Sequence, residues 1–275
     1  MFQPGRSVWA ILLWIAVLPI RQGPPPADPG PILWISDQWG QLGTVNVQTG
    51  QVTIRGEMVT PMDDIAFDPE GHLFGVGRGV LYTIDPADGT SQPIGELGVQ
   101  VNSLVFDASG TLLAASDELY RLDPSTGRAQ LLGSGGIPYS SSGDLAFVNG
   151  LLTLSSTSPD SPDDILVLLD PTSGWGTALG SIGYPEVLGL ATNDNQHLFG
   201  ISGTQILAID PATGAGRLLL DYAGQGLGRA YGSAFTQEAA QPPISQRASP
   251  WRFGLGALVL SAGMGRVGPP ETAVQ

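Results

Sequence analysis

The chain has no cysteine and no lysine among its 275 residues, and charged residues make up only 13% of it. Without cysteine it can form no disulfide, no thiolate metal site and no cysteine nucleophile, although this absence does not identify a compartment. Between positions 32 and 238 there are 23 acidic residues and six arginines. This balance argues against binding to nucleic acid or to anionic lipid, because both need a basic face. It is compatible with a soluble acidic surface or with cation binding.

What the chain does have is a phrase that recurs five times. The versions are TVNVQTG, TIDPADG, RLDPSTG, LLDPTSG and AIDPATG, and they end at Gly50, Gly89, Gly127, Gly174 and Gly214. A period of about 40 residues, built from short apolar strands and polar turns, is typical of a β-propeller blade. A β-sandwich also spaces its turns closely and is the alternative fold.

A second phrase keeps the same period and aligns the repeats. It is a short apolar strand that ends at Phe67, Phe106, Phe147, Thr192 and Phe235. Each repeat supplies four strands, except that the first, from Ile32, supplies three. Its missing inner strand occurs at the other end of the repeats, as Ser233–Phe235. We therefore predict an all-β propeller of five four-stranded blades whose N- and C-terminal strands share the first blade, because closure leaves few strand edges unpaired.

The segments that flank the repeats differ from them in composition. Residues 1–31 contain Arg6, an apolar run over 8–20 and a proline-rich linker, which is the pattern of a secretory signal or, if it is not cleaved, of an anchor. Residues 239–275 contain a polar linker and a short Gly-rich apolar tail. This tail resembles bacterial C-terminal sorting tails, and a frayed end or short packing helix is the alternative. We predict segments 1–31, 32–238 and 239–275, export from a bacterial cytoplasm, and a membrane tether as one role for the termini.

An acidic or amide residue precedes the turn in each of the five phrases, and we predict that it stabilises that turn. Such a side chain accepts a hydrogen bond from the backbone N–H two residues on, and a following proline presets the turn. The residues are Asn46, Asp85, Asp123, Asp170 and Asp210. The two histidines, His72 and His197, occupy equivalent hairpin positions, so we do not predict that they form a metal site.

Functional differences between the repeats are expected on the inner strands, which face the central channel. Three residues before the aligned phenylalanine position are Asp64, Ser103, Asp144, Gly189 and Gly232. Four residues before it are Asp63, Asn102, Gly143, Leu188 and Tyr231. Four of these ten offer oxygen ligands of the type that Ca²⁺ or Mg²⁺ prefers, and we predict them as a metal site at the channel mouth: Asp63, Asp64, Asn102 and Asp144. The alternative is that they cap strand ends and bind water.

The repeats resemble known propeller families over about residues 32–236. TIDPADG and its equivalents are similar to quinoprotein-like and YVTN-type repeats, whereas IAFDPEGHLFGV is similar to NHL and gluconolactonase-type repeats. The first resemblance implies a tryptophan after each T-G, but only Trp175 matches, so no quinone cofactor is predicted. The second implies a divalent cation held by acidic and amide side chains. A metal-dependent hydrolase would also need a general base, for which Asp64 and Asp144 are the candidates.

No motif in the chain identifies a catalytic residue. We therefore predict an exported, non-enzymatic propeller that binds or displays a protein or small-molecule ligand. One alternative is a divalent-metal-dependent propeller hydrolase or lactonase. The other is an envelope scaffold that contacts proteins through its blade edges or through the TSPDSPDD insertion before Ile165.

Overall fold

Closely spaced turns divide the chain into short antiparallel strands. The computed structural model describes residues 30–238, and every helix or strand in that range is a β strand. A helix long and apolar enough to cross a membrane is accordingly not found in this range. The predicted export segment and C-terminal tail lie outside the described residues, as does the linker that precedes Gly30.

The twenty strands form five antiparallel sheets of four, which are the blades of a propeller. The first blade contains β1 (Ile32–Asp37), β2 (Gln41–Asn46) and β3 (Val52–Glu57). The second contains β4 (Asp64–Phe67), β5 (Leu73–Gly77), β6 (Val80–Ile84) and β7 (Ser91–Glu96). The third contains β8 (Ser103–Phe106), β9 (Leu112–Ala115), β10 (Leu119–Leu122) and β11 (Ala129–Gly133). The fourth contains β12 (Ser141–Val148), β13 (Leu151–Ser158), β14 (Ser161–Leu169) and β15 (Gly176–Ser181). The fifth contains β16 (Val187–Thr192), β17 (Leu198–Ser202), β18 (Gln205–Ile209) and β19 (Gly216–Asp221).

The last strand closes the ring. Strand β20 (Ala230–Phe235) pairs antiparallel with β1 and completes the first blade, whose strand order is β20-β1-β2-β3. The register places Leu33 opposite Phe235 and Ile35 opposite Ser233. The predicted five-bladed fold and its shared first blade are thus confirmed.

The turn that ends each repeated phrase forms as its residues predict. In all five, the side-chain Oδ1 of the acidic or amide residue accepts a hydrogen bond of 2.8–2.9 Å from the backbone N–H two residues on. The glycine that closes the turn has a positive φ, for example 78° at Gly89, which a residue with a Cβ adopts only with strain. These aspartates therefore hold turns together.

The apolar core of residues 30–238 is divided among the five junctions between neighbouring blades. Each junction has its own cluster of buried side chains. At four junctions, an outer-strand glycine of one blade also touches the repeated turn of the next. A Cβ on Gly56, Gly95, Gly133 or Gly180 would lie only 1.7–2.4 Å from a backbone oxygen of that turn. Glycine at these places lets the two backbones meet.

The insertion in the fourth repeat extends a hairpin. Strands β13 and β14 have eight and nine residues and continue the ladder to a Ser158–Ser161 pair. The acidic TSPDSPDD sequence therefore lies on paired strands and their tight turn. Sequence reasoning located the insertion but did not predict that it is a regular continuation of the blade.

Candidate functional site

One end of the central channel opens into a cavity of about 360 Å³, which we call the mouth. All five blades contribute to it, because all five inner strands begin at this end of the ring. Every residue of the row that lies four positions before the aligned phenylalanine lines this cavity: Asp63, Asn102, Gly143, Leu188 and Tyr231. The sequence alignment therefore identified a true structural row.

Four further residues complete the lining: Gln38, Ser142, Glu186 and Arg229. Glu186 and Arg229 form an ion pair between the fifth and first blades. Glu186 has φ 49°, a left-handed conformation that is unusual for a residue other than glycine and is frequent at functional sites. The mouth thus presents both acidic groups and a guanidinium.

Asn102 presents an unsatisfied acceptor at the mouth. Its Nδ2 donates to the carbonyl oxygens of Ser141 and Ser142, at 2.9 and 3.3 Å. Its Oδ1 is buried and has no hydrogen-bond partner among residues 30–238. A buried polar atom of this kind has a free-energy cost unless a ligand or water supplies the missing donor. Asn102 therefore keeps an unpaired acceptor just beneath the lining of the mouth.

Asp63 is the acidic group of the mouth on the second blade. Its Oδ2 accepts a hydrogen bond of 3.4 Å from the backbone N–H of Arg78. Burial raises the pKa of Asp63, and the N–H and positive charge of Arg78 partly offset this rise. Because that single bond is long, the carboxylate retains capacity to accept hydrogen bonds from a ligand.

The next residue in sequence, Asp64, has a different environment. Asp64 and its counterpart Asp144 are both 0% exposed, inside the channel beneath the mouth. Oδ1 of Asp64 accepts from the N–H of Ile65 at 2.7 Å, and Oδ2 accepts from the N–H of Leu104 at 2.6 Å. Leu104 belongs to the third blade, so this carboxyl group joins two neighbouring inner strands.

Asp144 repeats the arrangement on the opposite side of the ring. Its Oδ1 accepts from the N–H of Leu145 at 2.6 Å, and its Oδ2 accepts from the N–H of Leu190 in the fifth blade at 2.5 Å. Ser233 Oγ lies a further 3.3 Å from Oδ2. Each oxygen of the two buried aspartates thus accepts at least one backbone hydrogen bond.

The two buried carboxyl groups also influence each other's ionisation. Burial raises the pKa of Asp64 well above its usual value, and burial together with the nearby Asp64 charge raises the pKa of Asp144. Burial and like charge both oppose ionisation of the second carboxyl group, so the two groups titrate as a pair. The pair therefore retains protons to a higher pH than exposed aspartates do.

Glycines make room for this pair. A Cβ on Gly232 would lie 2.4 Å from both Cα and Oδ1 of Asp64. A Cβ on Gly189 would lie 2.7 Å from Ser233 Oγ. Gly189 and Gly232 occupy the same row as the two aspartates, so this row combines two carboxyl groups with two positions that have no side chain.

At the other end of the inner strands lies a third buried acid, Glu238, which sequence reasoning missed. After β20 the chain turns back, and the carboxylate of Glu238 accepts from the N–H groups of Thr192 and Phe235 at 3.4 and 3.3 Å. Burial, followed by the charge of Asp144, raises the pKa of Glu238 well above its usual value. No repeat phrase contains this residue, so the alignment could not place it.

The four predicted metal ligands therefore fall into two sets. Asp63 and Asn102 line the mouth, whereas Asp64 and Asp144 are buried beneath it. No group of three or more histidine and acidic side chains suited to holding a metal ion occurs within the described range. A cation between Asp64 and Asp144 would compete with their backbone hydrogen bonds for the same four oxygens. The metal site stays a prediction, and Asp63 and Asn102 are the two of its residues that line the mouth.

The two histidines lie in hairpin turns. His72 Nδ1 is 2.8 Å from Asp68 Oδ2, and His197 Nδ1 is 2.6 Å from Asp194 Oδ2. The hydrogen bond and charge of Asp68 raise the pKa of His72. Each histidine thus pairs with the aspartate of its own turn.

An exposed tryptophan lies at the rim of the mouth. Trp39 is 68% exposed and directly follows Gln38, which lines the cavity. A Cβ on Gly228 would lie 2.9 Å from the indole ring, so the ring rests on the backbone just before Arg229. This gives the polar cavity a flat apolar border.

Comparison with protein-family models and with curated proteins finds no match for the chain. Among solved structures, one propeller in the crystal structure of a nidogen/laminin complex is similar over 78% of this chain and 100% of its own, with 11% identity and a TM-score of 0.54. A structure from work on the de novo evolutionary emergence of a symmetrical protein matches 78% of this chain and 100% of its own, at 20% identity and a TM-score of 0.46. A gluconolactonase from Xanthomonas campestris matches 73% of this chain and 76% of its own, at 18% identity and a TM-score of 0.46. At these identities the similarity concerns the propeller fold alone.

Proposed function

We propose that this protein is an exported, non-enzymatic propeller that binds a small organic molecule rich in hydroxyl groups at the mouth. The observation that carries the proposal is a cavity to which all five blades contribute and whose lining residue Asn102 has a buried, unpartnered Oδ1. A hydroxyl group that reached this atom would supply the donor that it lacks, as polar groups that fix a ligand's orientation do.

The charges of the mouth favour the same ligand chemistry. Asp63 and Glu186 offer acceptors on the second and fifth blades, and Arg229 offers donors between them. A molecule with several hydroxyl groups can both donate to the acidic groups and accept from the guanidinium. The indole of Trp39 at the rim can contact its apolar face.

Binding without catalysis is favoured by the way the buried carboxyl groups are used. A general base must reach the proton that it removes. Asp64 and Asp144 are fully buried and accept backbone hydrogen bonds on every oxygen. Their arrangement suits a structural role, and the accessible residues of the mouth suit recognition.

Calorimetric titration of the full chain with a panel of monosaccharides, alditols and aldonolactones tests this proposal. We expect heat of binding for members of the panel and recovery of every lactone intact. Arg229→Gln should weaken binding about tenfold, because one charge-assisted hydrogen bond is lost. Arg128→Gln is the matched control, since Arg128 is an exposed arginine in a turn of the third blade. Absence of binding by the entire panel would overturn the ligand class.

The alternative function is that of a metal-dependent lactonase, in which Asp63 and Asn102 would bind the metal ion at the mouth. It predicts that Ca²⁺ raises the melting temperature, by mass action on the folded state, and that a lactone is hydrolysed only when Ca²⁺ is present. Asp63→Asn should abolish both effects, because it removes the carboxylate that lines the mouth, whereas Asp123→Asn, at a turn, should retain them. Intact lactone together with a melting temperature that does not respond to Ca²⁺ or to a chelator eliminates this alternative.

Export is the remaining part of the proposal, and it rests on Arg6 and the apolar run over 8–20. A fusion of the full chain to a reporter that is active only outside the cytoplasm should be active. Removal of residues 1–20 should abolish that activity. Recovery of the full chain from the cytoplasm with Met1 retained would contradict export.

A further inference from the structure

The junction between the fifth and first blades, which we call the seam, differs from the other four. Six residues after the repeated T-G glycine, the first four repeats have Gly56, Gly95, Gly133 and Gly180, whereas the fifth has Leu220. Those glycines let two backbones touch. At the seam, the nearest atoms to a Cβ on Gly50 are the methyl groups of Leu220, at 3.9 Å. A side chain therefore separates the two blades where glycine joins them elsewhere.

A cavity of about 760 Å³ lies at this seam, at the end of the ring opposite the mouth. Turns and strands of the fifth blade form most of it, and Pro31, Val47 and Gln48 of the first blade complete it. Its apolar lining includes Phe199 and Leu219, which are only partly buried. This volume is in the range of cavities that hold small organic ligands.

Most of the charged groups around this cavity are engaged with their own turns. Oδ1 of Asp194 accepts from the N–H groups of Gln196 and His197, and its Oδ2 holds the His197 ring. Asp210 accepts from the N–H of Ala212 and the hydroxyl of Thr213. Their carboxylates are thus stabilised locally and need no external cation.

Arg217 is the exception. It lines the cavity from β19 and is exposed. Its side chain takes part in none of the three ion pairs found in residues 30–238. The planar guanidinium of an arginine with free donors binds a carboxylate through two parallel hydrogen bonds. The partly exposed aromatic and aliphatic side chains beside it can contact the apolar part of the same ligand.

We propose that the seam cavity is a second ligand site, which takes a small organic carboxylate with a flat apolar body. Arg217 binds the carboxylate of the ligand, and Phe199 and Leu219 contact its body. This site is independent of the mouth, since it lies at the opposite end of the ring and has none of the residues of the mouth.

Titration of the full chain with 2-naphthoate, followed by calorimetry, tests the proposal. We expect saturable binding of 2-naphthoate and much weaker binding of its neutral counterpart, 2-naphthamide. Arg217→Gln should weaken 2-naphthoate binding about tenfold, as loss of a charge-assisted hydrogen bond implies. Arg128→Gln, which alters an exposed arginine of the third blade, should leave it unchanged.

Two further variants locate the bound probe. Ala208→Phe fills the cavity from β18, which contributes Ala208 to its lining, and should abolish binding while the melting temperature stays close to that of the wild type. Arg229→Gln, at the mouth, should have no effect on 2-naphthoate. Loss of binding in Arg229→Gln would place the probe at the mouth and overturn the second site. Failure of 2-naphthoate to bind at millimolar concentration, or equal binding of the amide, would also overturn it and leave the mouth proposal untouched.

Discussion

Asp63 and Asp64 are adjacent in sequence and have opposite environments. Asp63 lines the mouth and has one long backbone hydrogen bond, whereas Asp64 is completely buried and accepts two short ones. The difference arises because Asp63 precedes β4 and Asp64 is its first residue, so their side chains point in different directions. The comparison teaches that an acidic cluster in a repeat sequence can contain one residue for recognition and another for assembly.

Removal of the buried carboxyl group should have the largest effect. Asp64→Ala leaves the N–H groups of Ile65 and Leu104 without their acceptor, and we expect a loss of about 3 kcal/mol in the free energy of unfolding. Urea denaturation measures it. Asp63→Ala is the matched control, and a loss from it as large as that from Asp64→Ala would contradict the distinction between the two rows.

The glycine opposite Asp64 should tolerate substitution almost as poorly. Gly232→Ala places a Cβ 2.4 Å from the Asp64 backbone and carboxyl group, and overpacking of this kind costs about 2 kcal/mol. Thermal unfolding of the variant should show a clear fall in melting temperature. Unchanged stability would mean that Gly232 and Asp64 are farther apart than the structure shows.

The buried acids should make the fold more stable at mildly acidic pH than at neutral pH. Burial raises the pKa of Asp64, Asp144 and Glu238 on folding. A group whose pKa is raised contributes stability below its unfolded value, near 4, and this contribution is lost as the pH rises through the raised value. Melting temperatures across a pH series should therefore fall as the pH rises above about 4.

A variant of Glu238 tests whether the buried acids of the channel cause this fall in melting temperature. Glu238→Gln removes one of the three titrating groups, so the fall in melting temperature with rising pH should become shallower. At lower pH the turn aspartates act in the opposite sense, because hydrogen bonds lower the pKa of Asp88, Asp123 and Asp210. A slope that the Glu238 variant does not change would show that the titrating groups lie elsewhere.

The smallest change in stability is expected at the mouth. Asp63→Asn alters a partly exposed side chain with one long hydrogen bond, and such substitutions usually change stability by about 0.5 kcal/mol or less. Its effect should appear in binding, because a carboxylate that accepts hydroxyl donors is replaced by an amide. Urea denaturation and calorimetry on the same sample measure the two effects. A variant that lost stability but bound normally would contradict the assignment of Asp63 to ligand recognition.

The sequence predicted the fold because the features that determine it recur. The period of the T-G glycines, the turn aspartates and the position of Ser233–Phe235 are local patterns, and each has its expected place in the structure. The two inner-strand rows were also predictable, since alignment of repeats is equivalent to superposition of blades. The pattern could not show which row is buried, because that depends on how the inner strands enter the ring.

Residues outside the repeated phrases could not be placed from the sequence. Glu186 and Arg229 lie in loops, and only the closed ring brings them together. Glu238 follows the last strand and folds back into the channel. The seam could have been noticed from Leu220, which breaks a run of four glycines at one position of the repeat.

A crystal structure of the protein grown with millimolar Ca²⁺ and the tightest-binding member of the hydroxyl-rich panel tests the central claim most directly. We predict an organic molecule at the mouth, in contact with Asp63, Asn102 and Arg229, and Asp64 and Asp144 still bonded to their backbone N–H groups. A cation bound between Asp64 and Asp144, with those hydrogen bonds broken, would contradict this account. It would move the functional site into the channel and favour the metal-dependent hydrolase.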